Sequence, residues 1–523
     1  MARYLGSAGI LLAVLITYIF VKSRLRKRRN NAKAAALGCL PPPVLRSTNL
    51  IGNSILRESM RATKEDRGPQ YVAAKMDSIS PTCHTIKVPI IDYEIVVTRD
   101  PENARALFTS PDFDISHHRQ LSWMPLLGKG IFTSRGEIWR HSRALLRPQF
   151  AREMISDPQL EEHHLAHLWG RMPAADAATG WTAKVDLAPL FFKFTLDTST
   201  EFIFGQSANS LLQDDQSEGE GAGKEGEKKK KKDLASHFNA AKVWIDKRGA
   251  LAKFYWLMNS AEFTENCAAI HAFADNLVAE RLASPYEKDP EKGARFNLLN
   301  ELAKETQDPR ELRNETLHVL IAGRDTTGCL LGWVLYFLAR HPRVYARLRA
   351  EIVDRFDDRP ADFRSLSQVS YIQWIISETL RFATVIPLNE RIALKDTVLP
   401  RGGGPDGKSR VFIPEGTQVL IPLYAMQHRA DIWGPDVEEF RPERWETHRP
   451  GWEFIPFGAG ARKCLGQQFG RQEVSYVVSR FCQKYDRIEN MEEGNGRIRL
   501  HHAIENRSGT GVQVRLHEAK ASK

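Results

Sequence analysis

The chain has 523 residues, 42% of them hydrophobic and 26% charged, enough for a sizeable core in one large domain or two to three average ones. Its six cysteines (Cys39, Cys83, Cys267, Cys329, Cys464 and Cys482) are scattered with no C-x-x-C pair, which argues against a disulfide framework or a zinc site and for a reducing compartment. The net charge of +10 does not indicate a nucleic-acid partner, because residues 1–29 hold Arg3, Lys22, Arg24, Arg26, Lys27, Arg28 and Arg29 with no acid, leaving only +3 for the rest.

Tyr4 to Val21 is an uncharged, mostly apolar run of 18 residues, just long enough to cross a bilayer as a helix. The basic cluster behind it orients the following chain to the cytoplasm. A cleaved signal peptide would carry its charge before the run and a small-residue cleavage site after it, and neither is present. Residues 1–29 therefore read as a membrane anchor with its basic flank, and 30–44 as a linker hinged at Pro41-Pro42-Pro43, a stiff spacer between membrane and body. Residues 45–523 read as one catalytic domain. Within it, about 213–233 is a low-complexity insertion, expected to be disordered, whose run Lys228 to Lys232 is offset by six preceding acids. Strand-like pieces lie near Thr85–Val97, Arg410–Ile413, Gln418–Ile421 and Gly511–Leu516. Helical patterns dominate elsewhere, so the fold class is mainly α with a smaller β-sheet region. Two sequons, at Asn314 and Asn506, would be silent on a cytoplasmic domain.

Several constellations carry chemistry. Trp139 and Arg143 stand at i and i+4 on a helix and put an indole donor and a guanidinium on one face. The longest helical pattern runs from about Arg313 to Arg340 and stops at His341-Pro342, about 40 Å at 1.5 Å per residue. It contains Ala322-Gly323-Arg324-Asp325-Thr326-Thr327-Gly328. Gly323 leaves room for a ligand or water, and Asp325 beside the Thr326 hydroxyl suits proton delivery to a bound oxygen species. The structural alternative is an Asp-Arg pair with threonines bonding back to the helix. Glu378 and Arg381 can pair at i and i+3. Arg391, in Pro387-Leu388-Asn389-Glu390-Arg391, is a further cation. Finally, Phe457-Gly458-Ala459-Gly460-Ala461-Arg462-Lys463-Cys464-Leu465-Gly466 sets one cysteine in a glycine-rich loop with Arg462 two residues before it. Neighbouring cations and N–H donors favour a thiolate, and a single thiolate with arginines for carboxylates is what a haem iron site requires.

The spacing from Phe457 to Gly466 resembles the haem-binding signature of the cytochrome P450 family, and the other constellations follow in that family's order. The resemblance implies the cytochrome P450 fold behind one transmembrane helix, with haem b held non-covalently. Cys464 would be the axial ligand of the iron. Phe457, Trp139, Arg143, Arg391 and Arg462 would bind the cofactor, and Asp325 and Thr326 would handle protons. Phe440-Arg441-Pro442-Glu443-Arg444-Trp445 resembles the segment that lends a second arginine, so Glu378, Arg381 and Arg444 would form a buried network behind the cysteine loop. Alanine at 322 removes the glutamate that tethers haem covalently in some animal relatives. Leu196–Gly205, the Ala322–Thr327 segment and the Leu399–Gly407 turn resemble the fungal alkane- and fatty-acid-hydroxylating branch. That implies hydroxylation of a long apolar substrate at or near its terminus with O2. Electrons would come from NADPH through a separate NADPH-cytochrome P450 reductase, since the chain has no dinucleotide fingerprint, with cytochrome b5 as a second donor. The resemblance also implies a single-pass endoplasmic reticulum protein with a cytoplasmic catalytic domain. Leu121–Leu127, Leu317, Leu320, Ile321, Val385–Leu388 and Ala503–Ile504 are the expected substrate-lining positions. The alternatives are a monooxygenase of a terpenoid, polyketide or xenobiotic, and a non-oxygenating haem-thiolate isomerase, dehydratase or haem sensor.

Overall fold

The computed structural model describes residues 2–47, 53–79, 82–90, 93–150, 158–213, 233–283, 296–494 and 496–520. The expected insertion at 213–233 lies outside the described residues apart from its two ends. The helices that matter below are α1 (Ala2–Ala36), α2 (Gly136–Leu146), α3 (Gln159–Gly170), α4 (Leu187–Phe204), α5 (Leu234–Ala250), α6 (Pro309–Arg340), α7 (Ser370–Phe382) and α8 (Gln467–Lys484). The chain divides into two compact units.

One unit comprises Met1–Glu58, Val72–Asp114 and Asn389–Pro422. Its sheet has the strand order Thr85–Ile90, Tyr93–Thr98, Gln418–Pro422, Leu388–Ala393, Phe113–Asp114. The expected strand near Thr85–Val97 is in fact two antiparallel strands, registered Thr85 on Thr98 through Ile90 on Tyr93. The inward residues Ile86, Val88, Ile95 and Val97 pack with Met76 on one face. Buried Asn103 clamps this region to the Leu399–Gly407 turn. Its amide donates to Thr85 Oγ1 (3.0 Å), Thr98 Oγ1 (3.0 Å) and the Arg401 carbonyl (2.9 Å), and its Oδ1 accepts from Arg401 N–H at 3.0 Å. Gly402, at φ +112°, is required there, because a Cβ would lie 2.3 Å from the Thr85 side chain.

Two expectations about the N-terminal segment change. The segment read as a linker from residue 30 begins as helix, because α1 continues through the basic cluster to Ala36. The proline-rich segment is not a free spacer: Leu40 N–H donates to Arg410 O, Lys87 N–H to Pro43 O and Leu45 N–H to Lys87 O at 2.8–2.9 Å, so the chain runs along the strand Thr85–Ile90. Among the described residues no helix is long and apolar enough to cross a membrane, and most side chains of Tyr4–Val21 lie outside those described.

The other unit comprises Ser59–Tyr71, Ile115–Leu388 and Leu423–Lys523, and α6 is its axis. The helix begins four residues earlier than its apolar pattern suggests. Asp308 caps it by accepting from Arg310 N–H, and Pro309 takes the first turn, where a missing N–H costs nothing. α4 lies against α6 with little between the backbones. A Cβ at Gly323 would sit 3.0 Å from Ser199 Oγ, and one at Gly328 3.0 Å from the Phe192 ring. The space at Gly323 is thus occupied by α4 rather than left for a ligand, which corrects the sequence reading. Both sequons prove unsuitable for glycans on structural grounds: Thr316 is buried within α6, and Asn506 is fully buried and donates to the Ala383 carbonyl.

Candidate active site

The cysteine loop is shaped by two residues in the left-handed region, Gly458 (φ +66°) and Gly460 (φ +63°), where a side chain would cost ~1–2 kcal/mol. Gly466 is at an ordinary φ and forms the N-cap of α8. The loop closes on itself: Cys464 N–H donates to Phe457 O at 3.0 Å, and Lys463 N–H to Gly460 O at 3.2 Å. Of the six cysteines, five are buried and Cys464 is exposed. Protein atoms still crowd it closely enough that desolvation pushes its thiol up, against the pull of the Gly466 N–H, Arg143 and Lys463.

α2 brings its indole and guanidinium to this loop. Arg143 Nη1 donates to the Lys463 carbonyl at 3.0 Å. The Arg462 guanidinium lies 4.4 Å, and that of Arg143 5.9 Å, from the Trp139 ring. Arg462 also donates to the carbonyls of Ile131 (3.3 Å) and Ser134 (2.9 Å). The turn carrying those carbonyls rests on His318 of α6, a residue the sequence reading missed. His318 is fully buried, accepts from Phe132 N–H at 3.4 Å, and is pushed down to about 3 by burial, so it stays neutral. A Cβ on Gly130 would strike this ring at 2.4 Å. Arg391 belongs to the sheet-containing unit, where it is buried, donates to Asn389 Oδ1 (2.9 Å) and Glu390 O (2.7 Å), and lies 4.4 Å from the Phe108 ring.

Glu378 is the centre of a buried network. Arg381 holds it bidentately, Nε to Oε2 at 2.9 Å and Nη2 to Oε1 at 2.8 Å. Trp445 Nε1 (3.0 Å) and Arg441 N–H (3.0 Å) also donate to it, and Arg444 Nε lies 3.5 Å away. Arg381 further donates to the carbonyls of Gln427, Val437 and Glu439, and Arg444 to those of Trp433 and Asp436. Trp445 then packs on Phe454 at 4.6 Å between centroids, three residues before the cysteine loop begins.

In α6, Asp325 is buried and doubly paired, with Arg324 Nη1 at 3.0 Å and with Lys242 of α5 at 3.0 Å. Lys242 also contacts Glu505. Burial opposes the Asp325 charge, but Lys242 and Arg324 outweigh it and hold the carboxyl below its ordinary value. Thr326 donates back to the Ala322 carbonyl at 2.6 Å. This is the geometry of the structural alternative: an Asp-Arg pair and a threonine bonded to its own helix. Lys242 and Glu505 gave no sequence signal, being isolated charges far along the chain. Several expected substrate-lining residues do converge, since Leu126, Leu127, Leu317, Leu320 and Ile321 share one apolar cluster against which Trp123, Leu465 and Ile504 pack.

The family model for cytochrome P450 matches residues 82–499, so the chain belongs to the cytochrome P450 family and is a haem-thiolate monooxygenase. Among its relatives, cytochrome P450 monooxygenase g430 of a Fusarium species is 38% identical over 499 residues, covering 93% of this chain and 86% of the relative. Cytochrome P450 52A13 of Debaryomyces hansenii is 35% identical over 496 residues, 93% of each chain. Cytochrome P450 52A9 of Candida maltosa is 41% identical over 453 residues, 84% of each. Membership brings a non-covalent haem with a cysteine thiolate on its iron, and electrons from a reductase. The donor set fits that group: one exposed thiol on a left-handed glycine loop, with an indole and two guanidiniums held beside it.

Proposed function

We propose that the enzyme hydroxylates a long-chain alkane or fatty acid at or near its terminus. In this reading Cys464 is the thiolate ligand, and Phe457, Trp139, Arg143, Arg462 and Arg391 hold the haem face and its propionates. NADPH-cytochrome P450 reductase supplies electrons, cytochrome b5 is a second donor, and α1 tethers the cytoplasmic domain to the endoplasmic reticulum. The observation that carries the reading is the junction of α2 with the cysteine loop, where Arg143 bonds the Lys463 carbonyl and the Trp139 ring is shared by the guanidiniums of the loop's Arg462 and its own helix's Arg143. The substrate class is supported by the branch-like Leu196–Gly205, Ala322–Thr327 and Leu399–Gly407 segments and by the apolar cluster around Leu317, Leu320 and Ile321.

Bound haem supplies oxygen activation, which a thiolate ligand favours by easing O–O cleavage. The surrounding residues have more specific tasks. Arg462 and Arg143 present cations to carboxylates, fixed by their bonds to Ser134 and Lys463 carbonyls. Thr326 commits its proton to Ala322, so its oxygen is free to accept one, and it donates only after that 2.6 Å bond opens. Asp325 is ionised in its pair and accepts a proton once Lys242, which also holds Glu505, releases it and leaves the carboxylate less compensated. The apolar cluster excludes water from the substrate side.

The test is purified enzyme with reductase, NADPH and a panel of alkanes, fatty acids and terpenoids scored for product position. The reading predicts terminal or near-terminal alcohols from the straight chains, lowered ~100-fold in Thr326→Ala. Preferred turnover of terpenoids, or internal products only, would overturn the substrate assignment.

A further inference from the structure

A second cluster on α3 has no part in the chemistry above. The helix carries Glu161-Glu162-His163-His164-Leu165-Ala166-His167, which puts His163 and His167 one turn apart on one face with His164 beside them. The three rings lie 4.8–5.9 Å apart between centroids, and one nitrogen from each falls within 4.8 Å of the others. Edge-to-face packing alone would account for the rings. It does not account for their nitrogens. His164 is fully buried, and its Nε2 meets Glu201 Oε2 of α4 at 2.9 Å. Among the described residues its buried Nδ1 has no hydrogen-bond partner, and neither has Nδ1 of His167. Each such atom costs ~1–3 kcal/mol if left bare. A carboxylate on Nε2 keeps the proton there and turns Nδ1 into a free lone pair, which is how metal-ligating histidines are commonly prepared. His163 is exposed and gives a route in from solvent.

We propose that His163, His164 and His167 form a three-imidazole site for a divalent transition cation of the zinc class, with Glu201 orienting His164 from behind. Neutral imidazoles select zinc, copper or nickel over magnesium or calcium, whose preferred ligands are oxygens. Zinc–nitrogen bonds of ~2.0–2.1 Å bring tetrahedral ligands to ~3.4 Å from one another. The nitrogens, within 4.8 Å of one another, close to that spacing by turning of the imidazole rings, of which His163 is the exposed one. A cation bound here joins α3 to α4, the helix that packs against α6.

The experiment is calorimetric titration of Zn2+, with Mg2+ as control, into tag-free, chelator-stripped, haem-loaded full-length enzyme. His163→Ala, His167→Ala and Glu201→Gln are compared with wild type, and the reduced carbon-monoxide spectrum reports that each variant is folded. The expected result is one equivalent of Zn2+ at micromolar affinity or tighter and none of Mg2+. Binding should weaken at least ~10-fold in either histidine variant and ~10–100-fold in Glu201→Gln. No uptake by wild type at about 100 µM Zn2+, or one equivalent bound with unchanged affinity in both histidine variants, would overturn the proposal.

Discussion

Several single side chains hold charge states that burial alone would forbid or impose, and these set how the enzyme responds to pH. Glu473 of α8 is the simplest. It is fully surrounded by protein, its one partner among the described residues is the Thr198 hydroxyl at 2.9 Å, and burial pushes its carboxyl up from 4.5 to about 7. Between those values the native state keeps a proton that the unfolded chain has released, so stability falls as pH rises through the window. Glu473→Gln keeps the acceptor for Thr198 and removes the ionisation. The variant should gain on the order of 3 kcal/mol relative to wild type at pH 8 and almost nothing at pH 4. Denaturant midpoints at the two values check this, and an equal gain at both would mean that the carboxyl is not buried as described. Asp325 is the opposite case: equally buried, but held ionised by Lys242 and Arg324. The difference lies in the partner, not in the depth of burial.

At the scale of the element, the cysteine loop relies on glycine at two left-handed positions and the Glu378 network is costly to bury. Gly458→Ala forces a side chain into φ +66° and should cost ~1–2 kcal/mol while loosening the loop. Faster haem loss from the variant to an acceptor protein is the expected readout, and unchanged retention would show that the loop tolerates the side chain. Arg381→Leu leaves Glu378 buried without its bidentate partner and should cost about 3–5 kcal/mol, seen as a lowered unfolding midpoint of the holoenzyme. These elements were legible because their signals are local: glycines around one cysteine, an i and i+3 pair, an indole one turn from an arginine. The second partner of Asp325 was not, because Lys242 meets it only through tertiary contact between α5 and α6, and Glu505 reaches Lys242 from far along the chain. The role given to Gly323 went astray for a related reason. A missing side chain looks the same in sequence whether a ligand or a neighbouring helix fills the space. The early start of α6 was readable from Asp308-Pro309, a cap and first-turn proline placed before the apolar pattern begins.

At the scale of the whole molecule, the sheet-bearing unit fastens the N-terminal segment along a strand through Leu40–Leu45, while the α6-centred unit carries the cysteine loop, the charge network and the apolar cluster. Deleting residues 2–29 removes the apolar run and its basic flank but leaves Lys33, which pairs with Asp396. The truncated enzyme should move from the carbonate-washed membrane pellet to the supernatant with its haem spectrum intact. Retention in the pellet would place the membrane contact elsewhere. Every role proposed here in the haem chemistry depends on Cys464 being the thiolate on the haem iron. The most direct test is the reduced carbon-monoxide difference spectrum of Cys464→Ser beside wild type. Wild type should give the red-shifted Soret band that a thiolate ligand produces, and the variant should lose it. A band of normal position and size in the variant would contradict the account.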